Sequence, residues 1–191
     1  MRITAGKYKG ARLAVPKIRG TRPTSGRVKE SLFAILRGRI QGADAIDICA
    51  GSGAVGIEAL SRGARSCVFV DANPNACRCI RRNLAALSTP RSAAHTLRAG
   101  ASSAARRLFR QNRLFQIVFL DPPYNSNLLH ETLQTLGQSA LICAPDGVVA
   151  AEHSANNAPD SQYGALTRAR METYGDTQLS FFQHFESGRP I

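Results

Sequence analysis

The sequence lacks the long apolar segments that mark membrane and secreted proteins. No apolar run approaches the roughly 18 residues that a membrane-spanning helix needs. The N-terminus, residues 1–9, is basic and has no apolar stretch of the kind found in a secretory signal. We therefore expect a cytoplasmic protein. The 43% of hydrophobic residues is enough for a globular fold and argues against a disordered chain.

Cysteine and histidine are few, and their spacing is not that of metal ligands. The five cysteines are odd in number, and Cys77 and Cys79 stand too close together for the usual C-x₂-C zinc knuckle. The four histidines are scattered along the chain. We interpret the cysteines as reduced thiols that mostly fill the core, and we expect no metal site.

Acidic residues are scarce, and the shortage is uneven. The 191 residues include 25 Lys and Arg against 13 Asp and Glu, a formal net charge of +12. Residues 1–39 hold eleven of the basic residues and one acid, so this segment carries +10 and the remainder only +2. Such a concentration predicts a polyanionic partner, because Lys and Arg displace counterions from phosphates. The alternative is a solvated basic face that aids solubility.

After residue 40, short apolar runs alternate with segments of helical spacing. Strands are predicted at residues 45–49, 66–70, 93–98, 115–120, 147–152, 166–174 and 178–185. Helices are predicted at residues 54–62, 74–87, 101–111 and 128–141. This order predicts an α/β fold with a doubly wound, mostly parallel, seven-stranded sheet of the Rossmann-like type. The last two strands are expected to form an antiparallel pair.

The basic N-terminal segment has a different pattern. Residues 2–4 and 12–15 are predicted to form two short strands around a turn rich in glycine and lysine. A helix is predicted from Thr24 or Ser25 to about Ile40, because apolar residues recur there at helical spacing. We therefore divide the chain into a small hairpin and helix extension, residues 1–40, that binds nucleic acid, and a domain of residues 41–191.

A glycine-rich turn follows the first predicted strand. Gly51, Gly53 and Gly56 spell G-x-G-x-x-G between a strand and a helix, where backbone N–H groups can approach a ligand. Asp71 ends the second strand and can accept hydrogen bonds from both ribose hydroxyls of an adenosyl group. Together these residues indicate NAD or S-adenosyl-L-methionine as the cofactor. The alternative is a structural turn beside an ordinary surface aspartate.

Asp47 favours S-adenosyl-L-methionine over NAD. It lies in a strand that is otherwise apolar, four residues before Gly51, and a buried acid needs a partner. The α-ammonium of a methionine moiety would be such a partner, directly or through water, and NAD has no ammonium group.

The fourth predicted strand ends in Asp121, Pro122, Pro123 and Tyr124. In a doubly wound sheet this strand lies beside the first, at the crevice where ligands bind. Asp121 and the carbonyl of Pro122 can both accept hydrogen bonds from one amino group, and Tyr124 can stack on the base that carries it. The segment resembles the D/N-P-P-Y/F motif of methyltransferases that act on amines of bases or glutamine. A strand-terminating turn is the alternative.

A further motif is similar to one particular family. Residues 21–33, TRPTSGRVKESLF, resemble the R-P-T-x-x-x-V-[RK]-E-x-[LM]-F signature of the RsmD family, the 16S ribosomal RNA guanine-N2 methyltransferases. Residues 2–10 are similar to the family's R-I-I-x-G-x-x-[RK]-G opening, residues 50–64 to its A-G-S-G-A-L-G-L-E-A-L-S-R-G-A, and residues 174–177 to its Y-G-D-T. The resemblance covers about residues 2–180.

The resemblance implies a class I methyltransferase that uses S-adenosyl-L-methionine to methylate guanine N2 in 16S rRNA, of the type that acts at position 966. The implied partner is the small ribosomal subunit or its assembly intermediate, and we expect a monomer. The implied catalytic residues are Asp121, Pro122 and Tyr124. The expected RNA-binding residues are Lys7, Lys9, Arg12, Arg22, Thr24 and Arg27.

The third strand departs from the pattern of many class I methyltransferases. Those enzymes end this strand in an Asp or Asn that binds the adenine amino group, whereas residues 98–101 here contain no acid. We expect the backbone of Gly100 and Ala101 to replace that side chain. The other expected cofactor-binding residues are Asp47, Gly51, Gly53 and Asp71.

Three alternatives to this function remain open. The first is an adenine-N6 methyltransferase acting on DNA or RNA, which would share the D-P-P-Y chemistry. The second is an NAD-dependent oxidoreductase that uses the same glycine turn. The third is a basic RNA-binding or ribosome-assembly factor whose catalytic site has been lost, which the intact residues 121–124 argue against.

Overall fold

The computed structural model describes residues 1–16, 26–124, 126–138 and 143–184. The helices in these residues are α1 (Gly26–Ile35), α2 (Ala54–Ser61), α3 (Pro74–Ala86), α4 (Ala101–Arg110) and α5 (Leu128–Gly137). The strands are β1 (Asp44–Ile48), β2 (Ser66–Asp71), β3 (Ala94–Arg98), β4 (Phe115–Leu120), β5 (Cys143–Ser154), β6 (Gln162–Tyr163), β7 (Leu166–Tyr174) and β8 (Thr177–His184). None of these helices is long and apolar enough to cross a membrane.

The strands form one mixed sheet in the order β3-β2-β1-β4-β5-β8-β7-β6. Strands β1 to β5 are parallel, and β6 to β8 add antiparallel strands at one edge. The predicted α/β fold is therefore confirmed. The described residues contain eight strands rather than the predicted seven, because Gln162–Tyr163 pairs with Leu166 and Thr167. Two residues are too few to show the alternation by which a strand is found in a sequence.

The two faces of the sheet bury separate apolar layers. Along β4, Ile117 and Phe119 enter the layer that contains α1, α2 and α3, whereas Val118 and Leu120 enter the layer that contains α4 and α5. Successive side chains of a strand point to opposite faces, and both faces here are covered by helices. This explains why the strand reads as a continuous apolar run in the sequence.

The N-terminal residues pair as a hairpin, although without regular strands. Ile3 N donates to Ala11 O (3.0 Å) and Gly10 N to Ile3 O (2.9 Å), but the ladder consists of one isolated bridge, between Arg2 and Arg12. The prediction of two regular strands at residues 2–4 and 12–15 was thus wrong. The prediction that these two segments pair with each other is confirmed. The segment contacts helices, since Thr4 N donates to Glu58 of α2 and Ala14 N donates to Asn83 of α3.

Helix α1 is shorter than predicted. It ends at Ile35 instead of Ile40, and Gly38, with a φ of 84°, lies in the turn that follows it. The apolar stripe nevertheless continues through the turn, since Leu36 and Ile40 are buried together with the helix residues. The predicted start at Thr24 or Ser25 lies outside the described residues, as do the last predicted residues of α5.

Hydrogen bonds to Glu58 connect the N-terminal residues and α1 to α2. Glu58 accepts hydrogen bonds from Thr4 N (2.9 Å), Lys29 Nζ (2.9 Å) and Arg62 Nε (3.0 Å), and Lys29 Nζ also donates to Arg2 O (2.7 Å). We call Glu58, Thr4, Lys29 and Arg62 the Glu58 cluster. Burial alone would raise the pKa of Glu58, but the hydrogen bonds from Lys29 and Thr4 outweigh it and hold this pKa below its ordinary value.

Candidate active site

The carboxyl ends of β1, β2 and β4 meet at one edge of the sheet. The strands are in register there, since Ile48 lies opposite Val70 on one side and Leu120 on the other. Asp121, the next residue of β4, donates its N–H to Ile48 O (3.2 Å). The motifs that were separate in the sequence therefore line one crevice, at the position where parallel α/β sheets bind ligands.

Cys49 directly follows β1 at this edge of the sheet and has an unusual backbone conformation. Its φ is 63°, in a region that residues with a side chain rarely adopt. Burial raises the pKa of its thiol, and the nearby charges of Asp71, Asp121 and Asp47 raise that pKa further. The three acids predicted from the sequence are thus close enough to act on one group. Sequence reasoning did not single out Cys49.

The glycines of the turn have different tasks. Gly51 and Gly53 have φ values of 56° and 77°, which favour glycine. A Cβ on Gly56 would lie 2.4 Å from Phe69 Cε1, so this glycine allows α2 to pack closely on β2. A Cβ on Gly51, by contrast, would meet nothing within 4 Å. Gly51 thus combines a left-handed turn with open space beside its backbone.

Asp71 connects the end of β2 to this turn. Its carboxylate accepts hydrogen bonds from Gly51 N (2.9 Å) and from Asn73 N (2.8 Å), one on each oxygen. Asn73 in turn caps α3 through its side chain, which accepts from Asn75 N. The carboxylate is half-buried. Each of its oxygens can accept a second hydrogen bond, which is what two adjacent ribose hydroxyls would need.

Asp47 is almost completely buried, with 2% of its surface exposed. Its carboxylate accepts a hydrogen bond from Gly56 N (2.9 Å), one of the N–H groups in the first turn of α2 that have no partner within the helix. Burial raises the pKa of Asp47 to about 7, and the charge of Asp71 adds to this rise, whereas the bond from Gly56 opposes it. From the sequence, the ammonium of a ligand was the partner expected for Asp47, and the N–H of Gly56 was not foreseen.

Tyr124 is held at its hydroxyl end. The hydroxyl donates to Glu152 Oε1 (3.0 Å) and lies 3.2 Å from Thr177 Oγ1, while Asn157 Nδ2 donates to Tyr124 O (3.3 Å). Burial raises the pKa of Tyr124 to about 12, and the charges of Glu152 and Asp121 contribute to this rise against the bond from Thr177. Tyr124 is therefore a neutral hydrogen-bond donor near neutral pH, with its ring orientation fixed by β5 and β8.

Glu152 and Thr177 are the site residues that sequence reasoning missed. Glu152 is 7% exposed and follows the apolar residues of β5, just as Asp71 and Asp121 stand at the ends of apolar strands. That repetition was a usable signal. Thr177 begins β8 and ends the segment that is similar to the family's Y-G-D-T.

The end of β3 leads into α4 through Gly100, and the expected cofactor contacts of Gly100 and Ala101 stay a prediction. Gly100 caps α4 without a side-chain hydrogen bond, and a Cβ added to it would meet nothing within 4 Å. Arg98, at the end of β3, is the parallel-ladder partner of Asp71, which places Gly100 and Ala101 at the same edge of the sheet as the glycine turn. The first N–H groups of α4 are consequently available beside Asp71.

Two of the residues predicted to bind RNA, Lys7 and Lys9, lie away from the crevice. Lys7 and Lys9 are exposed, but Lys7 N donates to Ser61 O (2.8 Å), so their turn lies at the C-terminal end of α2, away from the glycine turn at its start. Gly6 permits this contact, because a Cβ there would lie 1.8 Å from Ser61 O. Arg12 and Arg27 are also exposed. Arg22 and Thr24 lie outside the described residues. No metal-binding cluster is found in the described part of the chain.

Comparison with known proteins identifies the family of the chain. The family model of conserved hypothetical protein 95 matches residues 1–183. Ribosomal RNA small subunit methyltransferase D of Escherichia coli (strain K12) is 35% identical over 188 residues, which are 98% of this chain and 92% of that protein. A solved hypothetical protein of Thermus thermophilus is 27% identical, with a TM-score of 0.82 over 96% of this chain and 99% of that one.

A more distant structure shares the fold alone. SMU.776, solved in complex with SAH, is 15% identical to this chain, with a TM-score of 0.65 over 82% of this chain and 48% of its own. The match to the family model and the near full-length relatives establish the membership that residues 2–10, 21–33, 50–64 and 174–177 had suggested. The chain belongs to the RsmD family, which is the family of conserved hypothetical protein 95 and of ribosomal RNA small subunit methyltransferase D.

Proposed function

We propose that this protein transfers a methyl group from S-adenosyl-L-methionine to the exocyclic N2 amine of a guanine in 16S rRNA of the small ribosomal subunit. The observation that carries the proposal is the contact between the Asp121 N–H and Ile48 O, which seats the D-P-P-Y segment directly beside the glycine turn. Its near full-length relative from Escherichia coli is named as a methyltransferase of small-subunit rRNA. The choice of guanine N2 and of position 966 rests on the resemblance of the sequence motifs.

The residues of the crevice fit an adenosyl cofactor. Asp71 offers two acceptor oxygens for the ribose, and Gly51 and Gly100 leave open space at the turns before α2 and α4. Asp47 is a buried acid that would gain from a positively charged neighbour such as the ammonium of the methionine moiety. The SMU.776 structure, which has the same fold, was solved with SAH.

The D-P-P-Y segment would position the amine. The lone pair of guanine N2 is delocalised into the ring, which makes this nitrogen a poor nucleophile. Asp121 and the Pro122 carbonyl would accept hydrogen bonds from the two N–H groups of the amine. These bonds would favour a pyramidal nitrogen with its lone pair directed at the cofactor. Such positioning can contribute up to roughly 7–11 kcal/mol to catalysis. When bound, S-adenosyl-L-methionine would supply a methyl group already activated by its sulfonium.

Charge and stacking would complete the arrangement. Acceptors beside the nitrogen stabilise the positive charge that grows on it during attack. Asp121 need not be a strong base, because the methylated ammonium is acidic and loses a proton readily. The target base must leave its stack to reach Tyr124, whose ring is held by Glu152 and Thr177. Bases in RNA loops are already unstacked, which suits an RNA substrate.

The division of the chain, the RNA-binding residues, the oligomeric state and the cellular location are also part of this proposal. Residues 1–40 would hold RNA and residues 41–191 the cofactor, with phosphate contacts from Lys7, Lys9, Arg12 and Arg27, and from Arg22 and Thr24 beyond the described residues. The two parts share one apolar layer, since Ile3 and Leu13 pack in the same core as Ile57 and Phe119. We propose that the protein acts as a monomer in the cytoplasm, on the small subunit or its assembly intermediate.

The test is nucleoside analysis of labelled RNA. Purified protein would be incubated with methyl-tritiated S-adenosyl-L-methionine and with either a 16S rRNA transcript or isolated small subunits, and the RNA digested to nucleosides. We expect label in N2-methylguanosine, and loss of that nucleoside from a strain lacking the gene. Label in N6-methyladenosine would establish the adenine alternative instead. Absence of label from both substrates would overturn the proposal.

A further inference from the structure

The part of the chain that follows the basic N-terminal segment is neutral only on average. Residues 72–120 contain nine arginines and no aspartate or glutamate. Because residues after 39 carry only +2 in total, the acids are concentrated outside this stretch. The chain after residue 39 is therefore divided into a strongly basic part, residues 72–120, and acidic parts on either side of it.

The fold gathers these arginines on one side. Residues 72–120 include α3, β3 and α4, and β3 is the edge strand of the sheet, with α3 packed against one face and α4 against the other. All nine arginines are exposed. Six of them lie on the two helices: Arg78, Arg81, Arg82, Arg106, Arg107 and Arg110. We call this side of the molecule the β3-edge surface.

Within the described residues, the arginines of the β3-edge surface form no ion pairs, although the charge of Arg113 acts on Asp44. The ion pairs among the described residues involve other arginines and Lys29, and none includes an arginine of residues 72–120. Charge that protects an open sheet edge against aggregation is expected on the edge strand itself, here β3. Only Arg98 of the nine is on that strand. The charge is thus better suited to an external polyanion than to protection of the edge.

The surface adjoins both the N-terminal segment and the crevice. Ala14 N donates to Asn83 Oδ1 (2.9 Å), and Tyr8 Oη lies 3.1 Å from Thr89 Oγ1, so the N-terminal segment packs along α3. Helices α3 and α4 each begin at the crevice edge of the sheet, after Asp71 and Gly100 respectively. A polyanion that lies on the basic N-terminal segment can therefore continue over α3 without leaving positive surface.

We propose that the β3-edge surface binds the phosphodiester backbone of the substrate RNA outside the target nucleotide. The inference rests on the proposed function for the identity of the polyanion. Arginine presents planar donors that match phosphate oxygens, and the contacts would be independent of sequence. The RNA would thus be held along two basic surfaces that meet at α3, and only one of them was evident from the net charge of the N-terminal segment.

The test measures RNA affinity as a function of salt. Two double variants, Arg81→Gln/Arg82→Gln on α3 and Arg106→Gln/Arg107→Gln on α4, each remove two exposed charges. Binding of a 16S rRNA transcript would be followed by fluorescence anisotropy from about 50 to about 200 mM KCl. We expect the slope of log affinity against log salt to fall by roughly 1.4–1.8 in each variant, and affinity at low salt to fall about tenfold.

A control variant removes the same formal charge elsewhere, from the half-buried Arg168 and from Arg170, which pairs with Glu172. Arg168→Gln/Arg170→Gln lies on β7, close to the opposite edge of the sheet, and should keep nearly the wild-type slope. Calorimetry with S-adenosylhomocysteine should give the same cofactor affinity for every variant within about twofold. Wild-type slopes in both test pairs, or an equal loss in the control, would overturn the β3-edge surface. If the wild type methylates no RNA while the test pairs alone lose RNA affinity, the proposed function fails and the surface stands.

Discussion

Two buried carboxylates beside α2, Glu58 on the helix itself and Asp47 on β1 under its first turn, have contrasting surroundings. Glu58 accepts hydrogen bonds from Lys29, from Arg62 and from the N-terminal segment, and its pKa lies below the ordinary value. Asp47 lies under the start of the helix, where the donor that the structure gives it is the N–H of Gly56, and burial raises its pKa to about 7. Within the described residues, Glu58 thus receives hydrogen bonds from two cationic side chains and a backbone N–H, whereas Asp47 receives one from a backbone N–H.

The contrast separates a structural region from the region that we propose binds the cofactor. A buried charge with enough donors can remain ionised without a ligand, so the Glu58 cluster needs nothing from outside. A buried acid with few donors is stabilised by whatever positive group enters the crevice. Substitutions in the Glu58 cluster should therefore change stability, whereas substitutions in the crevice should change binding or turnover.

The largest effect is expected at Asp121. Asp121→Ala should lower methyl transfer at least a thousandfold, more than about 4 kcal/mol in the barrier, because it removes an acceptor that acts on the nucleophile. Affinity for S-adenosylhomocysteine should stay within a few-fold of wild type, as measured by calorimetry. The free energy of unfolding should change by less than about 1 kcal/mol. Near-normal turnover in this variant would remove Asp121 from the site.

The converse result is expected at Glu58. Glu58→Ala leaves Lys29, 2% exposed, without its anionic partner, and such a loss costs about 3–5 kcal/mol of unfolding free energy. Denaturant unfolding measures the change, and cofactor affinity of the folded fraction should be retained. Asp44→Asn is the matched control, because Asp44 pairs with the exposed Arg65 and should lose about 1 kcal/mol or less. Equal losses in the two variants would contradict the distinction.

The sequence predicted the crevice better than it predicted the Glu58 cluster. Asp71 and Asp121 each stand at the end of an apolar strand, and in a parallel sheet such ends meet at one edge, so their proximity follows from the pattern alone. Lys29 and Glu58 are 29 residues apart on separate helices, and nothing in either segment indicates that they touch. In the sequence, Lys29 was one more basic residue of the segment predicted to bind nucleic acid.

The same limit explains the smaller errors. Turns and short pairings depend on tertiary contacts, as in β6, which consists of two residues next to a glycine with a φ of 55°. The bond from Gly56 N to Asp47 requires the helix to fold back over the strand, which residue spacing does not reveal. Glu152 was within reach of the strand-end argument, but its link to Tyr124 was visible only in three dimensions.

A smaller effect is expected at Asp71, on the binding side of the comparison. Asp71→Ala should weaken S-adenosyl-L-methionine and S-adenosylhomocysteine alike, since both carry the same ribose. The loss of a charged acceptor costs about 1.5–3 kcal/mol, and calorimetry would measure it for both ligands. Asp71→Asn keeps the shape and one acceptor and should lose less. Unchanged affinity for both ligands in the alanine variant would exclude Asp71 from the cofactor site.

The smallest effect concerns the charge of Asp47. Its raised pKa means that the folded state holds a proton more tightly than the unfolded state, so the unfolding free energy should fall as pH rises from about 4 to about 7. A bound ammonium favours the carboxylate and lowers this pKa, so ligand binding releases a proton below pH 7. Affinity for S-adenosylhomocysteine should therefore rise about tenfold between about pH 5.5 and about pH 7, then level off.

The comparison variant for this titration is Asp47→Asn, which cannot ionise and should flatten the pH dependence of cofactor affinity below pH 7. Calorimetry in buffers of different ionisation enthalpy should show proton release by the wild type and much less by the variant. Asp71 is the nearby acid that raises the pKa of Asp47, so Asp71→Asn should move the wild-type midpoint to lower pH. A wild-type affinity that is flat over this range would mean that the ammonium does not bind near Asp47. The acid would then be a structural partner of Gly56, as Glu58 is of Lys29, and the contrast between the two regions would fail.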